Sequence, residues 1–322
     1  MTRAALAAPA PAMTGVTTRT APAGAVTQLP AIIAMPGNES MAGQLAAALP
    51  AQSIPVTVRR FPDGESHVRV EGQVAGRQVV IVCTLDRPDD KLVPLLLLAC
   101  AAREAGAAAI GLVAPYLAYM RQDQRFAPGE TISAQHVAGW ISRHVDWLVT
   151  VDPHLHRIAD LSEVYAIRTR VARAAAPVAR WVSAEVRLPL LVGPDEESAQ
   201  WVSAVAALAG APFLVLHKTR HGDRSVEVSI PEVARWHDHT PVLIDDIVST
   251  ARTMIETTGH LRRAGMAAPV CVAVHAVFAQ GALEALHAAG AARIVSCDTI
   301  AHPSNRIALA DTMAAAVRSL LP

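Results

Sequence analysis

The densest chemistry in this chain lies in VLIDDIVSTARTM, residues 242–254, where an apolar run ends in two adjacent carboxylates, Asp245 and Asp246. Small and hydroxyl-bearing residues follow, and then a helix-like stretch. Backbone amides from Ser249 through Ala251 to Thr253, at the start of such a helix, form an anion site together with the helix dipole. Ser249, Thr250 and Thr253 add hydroxyl donors. The two carboxylates repel a phosphate and suit instead the vicinal hydroxyls of a sugar, or a hydrated Mg2+. A phosphate site beside hydroxyl acceptors points to a phosphorylated pentose; the plainer reading is an ordinary helix cap with acidic loop residues. Arg252 stands where a phosphate turn commonly has glycine. Because the turn runs straight into a helix, we expect Arg252 at negative φ, its amide facing the phosphate and its side chain pointing outward.

Other polar residues gather where apolar runs end. RRFPDGESHVRV, residues 59–70, sets Asp63 and Gly64 in a tight turn with Phe61 and Glu65 beside it. An exposed phenylalanine there can stack on a base or on a neighbouring subunit, or the segment is only a turn. PYLAYMRQDQRF, residues 115–126, supplies Arg121, able to fork onto a phosphate, and Gln122, able to read a purine edge. TVDPHLHR carries Asp152, His154 and His156, which are metal-ligand types but also a common structural cluster. VGPDEESAQW places Asp195, Glu196 and Glu197 at a helix start. VLHKTRHGDRSVEVSI takes Lys218 and Arg220 into a glycine-containing hairpin. Two cations on such a loop suit a transferring phosphoryl group, or form a solvated charge pair.

These residues need elements to hold them, and the composition allows a large core. Of 322 residues, 52% are hydrophobic and 17% charged, which excludes global disorder and allows one large or two ordinary domains. Lys plus Arg equal Asp plus Glu at 28 each, so no basic excess points to nucleic acid. Two charge-free windows, 198–217 and 264–283, are long enough for a membrane span but contain polar residues and proline, so no span is expected. The four cysteines lie far apart in apolar runs and read as buried, reduced thiols. Residues 1–28 are rich in Ala, Pro and Thr and read as a disordered extension without a signal core.

From Ala31 onward, short apolar runs alternate with Ala/Leu-rich helical stretches. AIIAMPG, QVVIVCTL, AAIGLVAPY, DWLVTVD, PLLVGPD, PFLVLHK, PVLIDDI and PVCVAVHAVF read as strands buried on both faces. KLVPLLLLACAAREAG, SAQHVAGWISRH, ESAQWVSAVAALAG and ARTMIETTGHLRRAG read as helices. The alternation predicts an α/β fold with parallel sheets, whose ligands sit at the carboxyl ends of the strands. Asp152, Asp195, Lys218 and Asp245 all fall at such ends. We expect two domains of similar plan, over residues 29–170 and 171–304, with a helix in 305–322 packing on the first.

Taken in order, GNES, FPDGE, PYLAYMRQDQ, TVDPHLH, VGPDEES, HKTRHGD, LIDDIVSTARTM and HAVFAQGALE resemble the ribose-phosphate pyrophosphokinases, from about Ala31 onward. KTRHGD and IVST look closer to the archaeal-type branch. The resemblance implies two phosphoribosyltransferase-like domains and transfer of a diphosphoryl group from Mg-ATP to ribose 5-phosphate. It implies ATP contacts from Phe61, Asp63, Gly64 and Glu65 of a neighbouring subunit, and from Arg121, Gln122 and His154. His154 and Asp195 would serve Mg2+, and Lys218 and Arg220 would be the catalytic cations, Arg220 also touching the sugar phosphate. Asp245, Asp246 and residues 249–253 would bind ribose 5-phosphate. A cytoplasmic homo-oligomer, dimeric or larger, is the expected form. The chain departs from the family at Ala251-Arg252, where paired small residues are usual, at Glu197, where glycine is common, and at Ser249, where aspartate is frequent. A non-catalytic regulatory homologue and a phosphoribosyltransferase are the competing readings. Retention of the cations and metal ligands disfavours the first, and tandem domains with FPDGE disfavour the second.

Overall fold

The computed structural model describes residues 28–221, 225–229 and 233–322. The extension expected over residues 1–28 therefore lies outside the described residues except for its last position, as do Gly222 and Asp223 of the KTRHGD turn.

The first half contains β1 (Ala31–Ala34), α1 (Glu39–Ala48), β2 (Gln52–Ser53) and a hairpin of β3 (Val56–Arg60) and β4 (Ser66–Val70). It continues through β5 (Gln78–Val82), α2 (Pro88–Glu104), β6 (Ala109–Ala114), α3 (Ser133–Ser142), β7 (Trp147–Val151) and β8 (Arg168–Ala172). Strands β2-β1-β5-β6-β7-β8, in that order, form a wholly parallel sheet.

The second half runs through α4 (Ala175–Glu185), β9 (Pro189–Gly193), α5 (Ala199–Ala209), β10 (Phe213–Val215), β11 (His217–His221) and β12 (Ser225–Ser229). After these come β13 (Thr240–Val248), α6 (Arg252–Arg263), β14 (Val270–Ala276), α7 (Ala282–Ala288), β15 (Arg293–Cys297), β16 (Asn305–Ile307) and α8 (Ala310–Arg318). Its sheet, β10-β9-β13-β14-β15-β16, is again all parallel, so the chain carries two α/β sheets of one plan.

Every residue of β7 and of β14 is buried, as expected of parallel strands covered on both faces. Three cores result. Helices α2 and α3 cover one face of the first sheet, and α6 and α7 cover the outer face of the second. Between the sheets, α1, α4, α5 and α8 share a single continuous core. Helix α8 follows the second sheet yet packs on α1, β7 and β8 of the first. Arg318 Nη2 donates to the Ala48 carbonyl at 3.0 Å, and Arg168 Nη2 to the Leu320 carbonyl at 3.3 Å.

Local departures from the sequence reading have local causes. PFLVLHK is two strands rather than one, because β10 pairs with β9 in the main sheet whereas β11 pairs with β12 in a separate ribbon. Helix α2 begins at Pro88 rather than Lys91; proline suits a first turn, and Asp89 and Asp90 there complement the helix dipole. The charge-free windows divide into α5 with β10 and β14 with the start of α7, and no helix among the described residues is long and apolar enough to cross a membrane. All four cysteines are free, but Cys100 is only half-buried. Burial pushes the Cys83 and Cys271 thiols up to about 12.

Gly111 on β6 lies directly under the fully buried Trp147, and a Cβ there would stand 2.0 Å from the indole ring. We therefore expect Gly111→Ala to destabilise the fold by roughly 1–3 kcal/mol through overpacking. A denaturant midpoint equal to wild type would contradict this packing.

Candidate functional site

Strand β13 is apolar and buried from Pro241 to Ile244, then emerges at its carboxyl end with Asp245 and Asp246 half-buried. The Asp246 amide donates to Asp245 Oδ1 (3.0 Å) and the Ile247 amide to Asp246 Oδ1 (2.7 Å), which fixes both carboxylates close to the main chain. The chain then turns through residues 249–251 into α6. Ala251 takes the left-handed conformation (φ +57°), and Arg252 is the first residue of the right-handed helix. The position that demands a glycine-like backbone is thus Ala251, one residue earlier than the arginine that stood out in the sequence. A cleft of about 110 Å³ opens here, lined by residues 247–254, Asp245 and Arg121.

Arg121 comes from the other half of the molecule. It follows Tyr119, whose φ of +65° turns the chain back so that the Gln122 amide reaches the Tyr119 carbonyl at 2.9 Å. The Gln122 side chain accepts from Ser133 Oγ (2.6 Å) at the start of α3. Asp123 pairs with Arg157 at 3.1 Å. An exposed guanidinium therefore faces the amide turn of α6, while its neighbours hold the loop.

Charges crowd at the carboxyl ends of the paired strands β9 and β13. Burial first, then the Asp246 and Asp195 carboxylates, push Asp245 well above the usual carboxylate range. Burial also raises Asp246, but the hydrogen bond and charge of His154, the Ile247 amide and His275 outweigh it and leave this carboxyl low. Asp195 caps the turn at 196–198, accepting from the Ser198 amide at 3.1 Å.

His154 reaches over from the end of β7, with Nδ1 2.8 Å from Asp246 Oδ2. His156 Nε2 lies 3.1 Å from the same His154 nitrogen. One ligand atom from each of His154, His156 and Asp246 falls within 4.8 Å of the others, a spacing that a metal ion could share. The sequence reading joined His154 to Asp195. In the structure His154 bonds to Asp246, while Asp195 acts on Asp245.

The other candidate residues are arranged separately. β3 and β4 form a regular antiparallel hairpin whose tip is closed by the Phe61 amide on the Glu65 carbonyl (2.8 Å) and by Gly64 at φ +94°. Asp63 Oδ1 accepts from the Glu65 amide at 3.1 Å. Phe61 is exposed, with Arg59 stacked over its ring at 4.5 Å. Lys218 and Arg220 lie on β11, paired with Val228 and Val226 of β12, so they belong to a β-ribbon rather than to a loop. Their side chains, like that of Glu197, lie outside the described structure.

Two family models match the chain. The N-terminal domain of ribose phosphate pyrophosphokinase matches residues 30–144, and the phosphoribosyl transferase domain matches residues 162–310. Ribose-phosphate pyrophosphokinase of Methanopyrus kandleri is 33% identical over 90% of this chain and 99% of its own length. That of Methanosarcina acetivorans is 31% identical over 90% of this chain and 99% of its own. The crystal structure of phosphoribosylpyrophosphate synthetase from Mycobacterium smegmatis shares the fold, with a TM-score of 0.79 at 24% identity over 90% of this chain and 98% of that one.

The left-handed Ala251 yields a stability test. A residue with a Cβ is strained in that region, so Ala251→Gly should stabilise the fold by about 0.5–1 kcal/mol. Thermal or denaturant unfolding would read this, and destabilisation would mean that the turn is built differently.

Proposed function

The chain belongs to the ribose-phosphate pyrophosphokinase family, and on that premise we propose that its central cleft transfers the diphosphoryl group of Mg-ATP to ribose 5-phosphate. The products are 5-phosphoribosyl 1-diphosphate, used in nucleotide biosynthesis, and AMP. One observation carries this reading. A single cleft joins an amide turn at a helix start, the Asp245 carboxyl and the Arg121 guanidinium, and these come from both halves of the chain.

Residues 249–253 hold the 5-phosphate with main-chain amides and hydroxyls. Asp245 and Asp246 face the ribose hydroxyls, which a carboxylate accepts and a phosphate does not displace. Arg121 lines the cleft from the other half of the chain, and with Gln122 next to it takes the triphosphate and base side of ATP. Lys218 and Arg220 neutralise the charge that spreads over the transferred group. The anomeric hydroxyl attacks the β-phosphorus in line, so the protein has little covalent work and acts by positioning and electrostatics.

A divalent cation fits the donor set. Burial first, and then the charges of Asp246 and Asp195, raise Asp245, and a cation beside these carboxylates would offset both causes. His154 and Asp195 would hold Mg2+ in this reading, with Asp246 and His156 within 4.8 Å of His154. A cation held by these residues would supply positive charge against the phosphate groups. Phe61, Asp63, Gly64 and Glu65 are exposed at a hairpin tip away from the cleft lining, which supports their meeting adenine in the site of a second copy. The working form is then a homo-oligomer, and substrates such as ATP and a sugar phosphate suit the cytoplasm.

Incubation with Mg-ATP and ribose 5-phosphate should release AMP; a binding-only homologue or a phosphoribosyltransferase would not do so. Lys218→Ala should lower kcat by roughly 10²–10³-fold with both KM values little changed, because its charge acts on the transition state. A collapse of affinity at wild-type kcat would instead make Lys218 a binding residue. For the shared site, Phe61→Ala and Lys218→Ala proteins should each be weak alone and regain activity after mixing and subunit exchange. Failure to complement despite exchange would mean that each copy builds its site alone.

A further inference from the structure

Strand β7 ends in a bend held from several sides. Asp152 has φ +26°, a value that residues with a side chain rarely adopt, and it is almost fully buried. Its amide donates to the Ala172 carbonyl (3.2 Å), and its carboxylate accepts from the Ala174 amide (2.7 Å) and Arg173 Nη1 (3.2 Å). Two residues later the chain presents His154 to Asp246. The carbonyls of the bend have a partner in the other domain: His275 Nε2, on β14, lies 3.1 Å from the Val151 oxygen and 3.3 Å from that of Asp152.

His275 is 1% exposed, so it meets no substrate. Carbonyls only accept, which requires the hydrogen on Nε2. Burial holds the ring below the usual histidine range, so it is neutral and its Nδ1 is an acceptor. Nδ1 then accepts from the Thr299 hydroxyl at 2.9 Å, and because that hydroxyl has a single hydrogen, the Val274 carbonyl, also 2.9 Å away, competes with the ring for it. The Thr299 carbonyl in turn accepts from Thr84 Oγ1 at 2.7 Å, back in the first domain at the end of β5. A strand that only filled a core would need no imidazole at this point. Here both ring nitrogens are used, one of them across the seam between the sheets.

We propose that His275 is a positioning residue, which sets His154 against Asp246 by holding the end of β7 across the domain seam. This rests on the reading of His154 as a metal ligand given above. His275 touches neither the phosphate turn nor the metal, so its loss should act on the metal and on turnover and spare ribose 5-phosphate binding.

The test compares His275→Ala, His275→Gln, Thr299→Val and His154→Ala with wild type, by Mn2+ titration followed by electron paramagnetic resonance without nucleotide, and by steady-state kinetics. His275→Ala should weaken Mn2+ binding roughly tenfold and lower kcat by a similar factor, as expected when an outer partner of a metal ligand is lost. Its KM for ribose 5-phosphate should stay close to wild type. His275→Gln, whose side-chain amide can donate to the same carbonyls, should recover most of both losses. Wild-type Mn2+ affinity in His275→Ala, with weak binding in His154→Ala, would overturn the positioning role and leave the metal reading standing. Wild-type affinity in His154→Ala would remove the metal reading and the proposal with it. Should His275→Ala fail to fold, Thr299→Val decides: weaker Mn2+ binding supports the proposal, and unchanged binding overturns it.

Discussion

Carboxylates buried together at the ends of neighbouring parallel strands are costly to keep charged, and the site of this molecule depends on how that cost is met. At an effective dielectric near 20, two unit charges 4 Å apart interact by roughly 4 kcal/mol, comparable to a large share of a domain's net stability. Here the relief is asymmetric. Each accepts from a main-chain amide, but only Asp246 also has the His154 imidazole, whereas for Asp245 burial and its acidic neighbours prevail. The imidazole that relieves Asp246 belongs to the other domain. The charge pattern of the second sheet is therefore complete only when the first sheet is docked against it. A site divided in this way cannot form in one half alone.

The docking itself is mostly apolar. Helices α1, α4, α5 and α8 share one core between the sheets, which fixes the two strand-end edges side by side. A few buried polar contacts then determine the register at the edge. Thr84, Thr299 and His275 link the ends of β5 and β7 to β14. Apolar packing is tolerant of small sliding, whereas a hydrogen bond to a defined carbonyl is not. That division of labour places a chemically demanding edge on an ordinary core.

Much of this was legible in the sequence because parallel strands buried on both faces read as unbroken Val/Ile/Leu runs; β5, β6, β7, β9, β13 and β14 are of that kind. Elements without that signature escaped. β8, RTRVA, lies at the sheet edge and alternates arginine with apolar residues. β16 and β2 are only three and two residues long. Helices α1, α4 and α7 also escaped: α7 has only seven residues, while α4 is as long as α5, and its sequence offers no reason for the omission. The phosphate turn was visible from its residue types, but its strained position was not: the eye goes to Arg252, and only dihedral angles reveal that Ala251 bears the left-handed backbone. His275 was hidden for a different reason. Within VCVAVHA it is one polar residue in an apolar strand, and the carbonyls it meets across the seam lie more than a hundred residues away in the chain.

Helix α8 is synthesised after every strand of the second sheet, yet it covers α1, β7 and β8 of the first. During translation the first sheet must therefore wait, with part of one face uncovered, until the whole second domain has left the ribosome. Each of its strands can pair early, since the crossovers within the half are local. Leu45, Val149 and Ala172 share their core with Met313, Ala314 and Val317 of this last helix. The two halves look like separable modules in their strand order but are a single unit in their order of completion, the first to be made being the last to be finished.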